Sequence, residues 1–260
     1  MSTDDQPTPR GIQRDRPEKV GALASTVISV LRHRQTVSVE GLRQFVLDFL
    51  VRSVLSPSRF DASAACDELR GYRLSPDALI DLYVPAAART LGERWVNDEI
   101  NFAEVTVGTM RLQAVLDCAS RLCSPDGHLR SDAMHILMVV PQGEQHFLGA
   151  SVAAAQARRL GCDVAMSFDE DLGSLKTRII QDAPDLVMIT CARAELLESV
   201  AGTVQCINGA RTDGPVVAVG GAFESETGAI KELKGVDIVT SIVAEAVAYC
   251  TTRSRLKKTP

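Results

Sequence analysis

The chain has 260 residues, 45% of them hydrophobic and 23% charged, with a net charge of −5 and a sequence pI near 5.5. The length accommodates two domains of ordinary size and the composition is that of a soluble globular protein. The acidic balance is the wrong footprint for nucleic-acid binding, and no apolar run reaches the roughly 18–20 residues of a membrane span.

The N-terminus, MSTDDQPTPRGIQRDRPEK, lacks the apolar core of a secretory signal. Seven cysteines are scattered without a C-x-x-C pair, which reads as reduced, mostly buried thiols of a cytoplasmic protein. Cys118 and Cys123 on one helix read as packing rather than as a redox pair.

In chain order, residues 1–19 are too poor in large apolar side chains to offset ordering entropy and are expected to be a disordered tail. A helix is expected at 20–34. Ser38 is placed to cap a second helix running through LRQFVLDFLVRSVL and ending at Pro57. A third covers 59–71. Ser75-Pro76-Asp77 combines an N-cap, a proline at the first helical position and an early acid. The stripe Leu79, Leu82, Tyr83, Ala86, Leu91, Trp95 follows, and Pro85 within it is expected to bend the helix. After a break at Asn97-Asp98, Asn101 and Glu104 spell a capping box for a last helix with the stripe Val105, Gly108, Leu112, Val115, Leu116, Ala119, Leu122. Four such amphipathic helices make a small bundle within a helical domain at 20–124, closed by the turn Ser124-Pro125-Asp126-Gly127.

From residue 132 to 254 short apolar runs alternate with helices. Strands are expected at 134–140, 162–168, 185–191, 215–219 and 237–240, and helices at 148–160, 172–182, 195–209, 225–233 and 242–253. Continuous apolar strands separated by helices predict a five-stranded, doubly wound, Rossmann-like parallel sheet, which binds ligands outside the carboxyl ends of its strands.

Three features fall at those ends. Glu144-Gln145-His146-Phe147-Leu148-Gly149 follows the first strand, Thr190-Cys191-Ala192 closes the third, and Gly220-Gly221 closes the fourth. Forty residues separate Gly149 from Thr190, and 27 separate Ala192 from Gly220. A neutral imidazole on a loop can ligate a transition metal. A carboxylate two residues earlier can hold its other ring proton and raise its basicity. Gly149 lets backbone come close as the helix begins, Thr190 offers a short hydroxyl, and Gly220 and Gly221 remove side chains where something must pass near the backbone. Each motif alone has a bland reading, a polar loop histidine or a glycine turn.

Together they resemble the cobalamin-binding domain family, whose pattern D-x-H-x-x-G, S-x-L and G-G appears here as E-x-H-x-x-G, T-x-A and G-G at near-identical spacing. The resemblance implies that His146 is the lower axial ligand to cobalt and Glu144 its partner. Gln145, Phe147 and Gly149 would complete the loop, and Thr190, Gly220 and Gly221 would line the channel for the cofactor's benzimidazole tail. It implies a four-helix cap over the upper face, where Trp95 would lie. Residues 91–113, LGERWVNDEINFAEVTVGTMRLQ, look like the cap segment of light-sensing cobalamin regulators, except that Val105-Thr106 stands where those carry Glu-His. The run W-V-x-D/E-x-x-x-F-A-x-V-T followed by R-L-Q is most similar to the PpaA/AerR antirepressors of photosynthetic bacteria, over about residues 75–250.

That resemblance implies a non-enzymatic, light- or redox-responsive photoreceptor-type regulator of photosynthesis genes. Its cofactor would be hydroxo- or aquocobalamin, or adenosyl- or methylcobalamin. Its partner would be a DNA-binding repressor of the PpsR/CrtJ type, with no membrane and no direct DNA contact. The alternatives are a corrinoid carrier of a methyltransferase system and a heme-based redox sensor with His146 on iron. His135 in the first strand, His128 in the linker and His33 at a helix end read as structural or solvated, and no nucleophile–base pair, nucleotide fingerprint or zinc ligand set is present.

Overall fold

The computed structural model describes residues 41–123, 132–221 and 233–257. The expected tail, the helix at 20–34, Ser38, His33, His128, the linker turn and most of the helix at 225–233 lie outside the described residues.

Four helical runs come first. Helix α1 is Gln44–Leu55; it starts later than expected, with Arg43 in Ser38's place at the N-cap and no side-chain cap bond. Helix α2, Ala62–Gly71, is capped by Asp61, whose carboxylate accepts from the N–H groups of Ser63 and Ala64. The third run opens as expected, with Ser75 Oγ accepting from Ala78 N–H at 3.1 Å. It is not uniformly α-helical: α3 (Pro76–Ala78) passes into a π turn (Leu79–Tyr83) and then α4 (Val84–Val96). Pro85 supplies the reason. It has no N–H for the carbonyl four residues back and its ring crowds that carbonyl, so the helix widens and Val84 N–H reaches back to Leu79 O. Helix α5, Phe102–Cys123, begins at the expected capping box: Asn101 N–H donates to Glu104 Oε2 at 2.8 Å and Glu104 N–H to Asn101 Oδ1 at 3.0 Å.

The sheet domain holds β1 His135–Val140, α6 Phe147–Arg159, β2 Asp163–Phe168, α7 Leu172–Asp182, β3 Leu186–Thr190, a 3₁₀ turn Ala194–Leu196, α8 Leu197–Asn208, β4 Val216–Gly220, β5 Ile238–Val239 and α9 Val243–Lys257. All pairings are parallel, in the order β2-β1-β3-β4-β5. Alternate strand residues face opposite ways. Ile136, Met138, Leu186, Met188 and Val216 meet α6 and α9. Leu137, Val139, Val187, Ile189 and Val217 meet α7 and α8.

Helix α6 belongs to two cores. Ala150, Ala154 and Ala157 lie on the sheet, where small side chains let the helix come close, while Leu148, Val152 and Ala155 enter the core of the helical bundle. The same helix carries an ionic latch to the bundle: Arg159 donates to Asp77 Oδ1 at 2.6 Å and to both Asp81 oxygens at 2.6 and 2.8 Å, and Gln156 Nε2 adds a bond to Asp81 at 2.9 Å. Asp81 lies in the π turn that Pro85 creates. Among the described residues no helix is long and apolar enough to cross a membrane.

Candidate functional site

The strand order locates the site. Strands β1 and β3 are neighbours, but the chain leaves β1 for α6 on one face and leaves β3 for α8 on the other. Loops that diverge in this way open a crevice at the carboxyl ends of the two strands, the usual ligand position in open parallel sheets. The loop 141–146 leaves β1 on one side of it, and Thr190, Cys191 and Ala192 leave β3 on the other.

The loop starts with a tight turn. Glu144 N–H donates to Pro141 O at 3.1 Å, and Gly143 takes φ +82°, as a type II turn requires at its third residue. The turn drives the Glu144 side chain inward, where it is fully buried. There Oε1 accepts from His146 N–H at 2.8 Å and contacts His146 Nδ1 at 2.6 Å, while Oε2 accepts from Ala192 N–H at 3.2 Å. Burial pushes the Glu144 carboxyl up, but the His146 and Ala192 bonds outweigh it and hold it below the usual carboxylate range. An ionised carboxylate is an acceptor only, so the Nδ1 contact puts a proton on Nδ1, and Nε2 is the ring nitrogen left for a metal. The His146 side chain is 62% exposed. The outcome is an exposed ring fixed at the crevice through its Nδ1.

The other expected residues divide. Gln145 is exposed beside His146. Phe147, 44% exposed, stacks edge-on against Phe168 at 5.6 Å, and Phe168 is itself 48% exposed. Thr190 is half-buried and donates to Val139 O at 3.5 Å. Among the described residues a Cβ at Gly149 would meet nothing within 4 Å, so packing does not require a glycine inside the first turn of α6. Gly220 and Gly221 differ: a Cβ would fall 2.5 Å from Thr240 O at Gly220 and 1.8 Å from Cys191 O at Gly221. What passes close to these glycines is the chain's own backbone, so the fold demands both independently of any ligand. Trp95 is 47% exposed, tilted against Phe102 at 6.3 Å, and so is not packed in the bundle core. Among the described residues no hydrogen bond or ring contact joins it to the His146 loop. At the position where the light-sensing cobalamin regulators that the cap segment resembles carry histidine, Thr106 Oγ1 donates to Phe102 O at 2.7 Å.

Sequence reasoning missed several participants. Ala192 matters through its N–H, which any residue there would supply. Phe168 ends β2 as an exposed aromatic, a signal that could have been read. Arg193, Ser199 and Asp169, which bond the backbone of the turn, carry no local signature because their partners lie 50, 57 and 26 residues away.

The chain matches no protein-family model. It is 32% identical over 175 residues to an uncharacterized 20.5 kDa protein of the bchF-crtJ intergenic region of Rhodobacter capsulatus, which spans 67% of this chain and 91% of that protein. Its fold is similar to that of the monomethylamine corrinoid protein of Methanosarcina barkeri, with a TM-score of 0.63 at 13% identity over 81% of this chain and 96% of that one. A cobalamin-binding protein from Desulfitobacterium hafniense aligns more loosely, with a TM-score of 0.41 at 19% identity over 79% of this chain and 97% of that one.

Proposed function

From the premise that the chain belongs to the family of the Rhodobacter capsulatus protein from the bchF-crtJ region, we propose that it is a cobalamin-binding regulator that relieves repression of photosynthesis genes. The observation that carries the cofactor half is the Glu144–His146 pair at the crevice between β1 and β3. A single outward imidazole suits a metal whose other positions a macrocycle already fills. A bare ion needs three or four protein donors, and among the described residues no cluster of three or more His, Cys, Asp or Glu offers them. Gly149 fits the same reading, since its missing side chain leaves open space beside the histidine.

In this reading His146 Nε2 is the lower ligand and Glu144 sets its tautomer and orientation. Phe147 and Phe168 offer a pair of exposed apolar rings at the start of α6, and Thr190 offers its hydroxyl at the crevice. When bound, the cobalt corrin supplies a chromophore and a ligand position sensitive to light and redox state. The chain itself performs no chemistry on a substrate: it holds the group and changes which arrangement of its own domains is favoured.

The regulatory half is supported by the relative's gene position between bchF and crtJ, next to the gene of a repressor of the type the PpaA/AerR resemblance implies as partner. A corrinoid carrier is the second reading, favoured by a fold that covers 96% of the Methanosarcina corrinoid protein. Reconstitution with hydroxo-, methyl- and adenosylcobalamin, and with hemin, decides the cofactor from the absorption spectrum, with His146→Ala alongside. Addition of the loaded protein to a PpsR/CrtJ-type repressor on its promoter DNA, in the dark and after illumination, then tests the role. Release of the DNA is expected. Uptake of methylcobalamin, transfer of its methyl group to a methyltransferase and no effect on the repressor would make it a carrier. A heme Soret band without corrin uptake would make it a heme sensor.

A further inference from the structure

We infer that Arg193 and Ser199, on the segment that follows β3, are positioning residues that hold the His146 loop in place before any cofactor arrives. The inference deepens the corrinoid reading and rests on it for its functional meaning.

The loop 141–146 turns through Gln142 and Gly143, both exposed. Their carbonyls point out of the turn, and in an exposed loop water would satisfy them. Here each is taken by a side chain from across the crevice: Ser199 Oγ donates to Gln142 O at 3.2 Å and Arg193 Nη2 donates to Gly143 O at 3.0 Å. The same segment supplies Ala192 N–H to Glu144 Oε2 at 3.2 Å. Three bonds therefore tie three consecutive residues of the loop, Gln142, Gly143 and Glu144, to one short stretch of chain. Arg193 is itself anchored, because its carbonyl accepts from Leu196 N–H at 3.2 Å and from Cys191 Sγ at 3.4 Å. On the opposite side Asp169, held at φ +49°, donates its N–H to Val140 O at 3.2 Å and accepts from Gly143 N–H at 3.4 Å.

The consequence follows from where these bonds act. Among the described residues no hydrogen bond joins the side chain of Arg193 or Ser199 to the imidazole or to Glu144. They fix the turn whose direction buries Glu144, and Glu144 fixes the ring. Arg193 is exposed and Ser199 half-buried, and bonds from such side chains to exposed carbonyls add little to global stability, so their removal falls mainly on the loop. A ligand held in place beforehand binds without the cost of ordering it.

The test uses the full chain with Arg193→Ala, Ser199→Ala, the double variant and Arg193→Lys. In the cofactor-free protein, hydrogen exchange of the peptide spanning 141–148 is expected to speed up about tenfold in Arg193→Ala, the effect of one lost hydrogen bond, and further in the double variant, with the folded-to-unfolded ratio falling by no more than the same factor. With hydroxocobalamin, the dissociation constant is expected to rise about tenfold and the spectrum to move part way toward that of His146→Ala, while Arg193→Lys, which keeps one donor to Gly143 O, restores both. Unchanged loop exchange, or a loss seen only as a lower unfolding midpoint, would overturn the inference. If the parent chain takes up no corrinoid, the corrinoid reading fails and the exchange arm alone still decides the clamp.

Discussion

At the scale of the residue, Glu144 does the most with the least exposure. Its two oxygens face two backbone N–H groups and one ring nitrogen. Glu144→Gln keeps the shape, replaces an acceptor oxygen by an amide donor and removes the charge that fixes the imidazole proton. We expect hydroxocobalamin affinity to fall about 10–100-fold, the usual effect of losing the partner of a metal-ligating histidine, as read from a spectral titration. Glycines give a sharper contrast. Gly149→Ala places a methyl in open space within a helix and should raise unfolding stability by up to about 0.5–1 kcal/mol while weakening cofactor uptake. Gly221→Ala drives a methyl into Cys191 O and should cost at least the roughly 1–3 kcal/mol of an overpacked core, with or without cofactor. Urea denaturation of the two variants separates a glycine kept for a ligand from a glycine kept for the fold. Sequence alone could not make that separation, because it does not show which strand end Gly221 lies against.

At the scale of the element, two caps expected from the sequence are found in the structure and one is not: α1 starts after Arg43, without a side-chain cap, and not after Ser38. Ser75 and the Asn101–Glu104 box needed only neighbours within three residues. Asp171, the cap of α7, was equally local: Ser174 Oγ donates to its Oδ2 at 2.6 Å, and the N–H groups of Gly173 and Ser174 donate to Oδ1. The Ser174 bonds first, then Gly173, hold the Asp171 carboxyl below its ordinary range. A lowered folded-state pKa contributes stability that is complete above the unfolded value and is lost as pH falls through the folded one. The urea midpoint of the parent chain should therefore fall on acidification through the carboxylate range by more than that of Asp171→Asn, which caps without titrating there; parallel curves would contradict this. Pro85 was legible as a disturbance of its helix but not as a π turn, since a helix can meet its missing N–H by kinking as well as by widening. The π turn carries Asp81, whose side chain is 16% exposed against Arg159 at 18%. Arg159→Ala should cost about 2 kcal/mol, between an exposed and a fully buried ion pair, measured by urea denaturation. The 78 residues from Asp81 to Arg159 explain why no periodicity revealed this latch.

At the scale of the molecule, α6 makes one body of cap and sheet. The five-stranded parallel sheet was legible because parallel strands buried on both faces are apolar throughout, whereas the order β2-β1-β3-β4-β5 was not, since apolar strands do not say which of them are neighbours. The shared helix was legible only as an alanine-rich run. Two thiols report on the two halves. Burial pushes Cys66, in the bundle core, up to about 12, and Cys162, in the sheet core, up to about 11. Neither should alkylate at neutral pH until its surroundings open. Pulsed alkylation should give both the same opening free energy, since α6 ties the cores together; Cys66 reacting well before Cys162 would mean that the cap opens alone. The open side of the sheet is sealed as well: Arg158 donates to Val164 O and Arg178 to Met166 O, the outward carbonyls of edge strand β2, so that edge is blunted against pairing with another strand.

The most direct test is electron paramagnetic resonance of cob(II)alamin bound to the full chain, prepared with all histidines labelled with nitrogen-15. An axial nitrogen-14 splits the cobalt lines into triplets and an axial nitrogen-15 into doublets. With His146 Nε2 on the metal, as Glu144 orients it, labelled protein must give doublets and unlabelled protein triplets. Triplets from both would mean that the cofactor keeps its own base and that the histidine between Glu144 and Gly149 is a loop residue only.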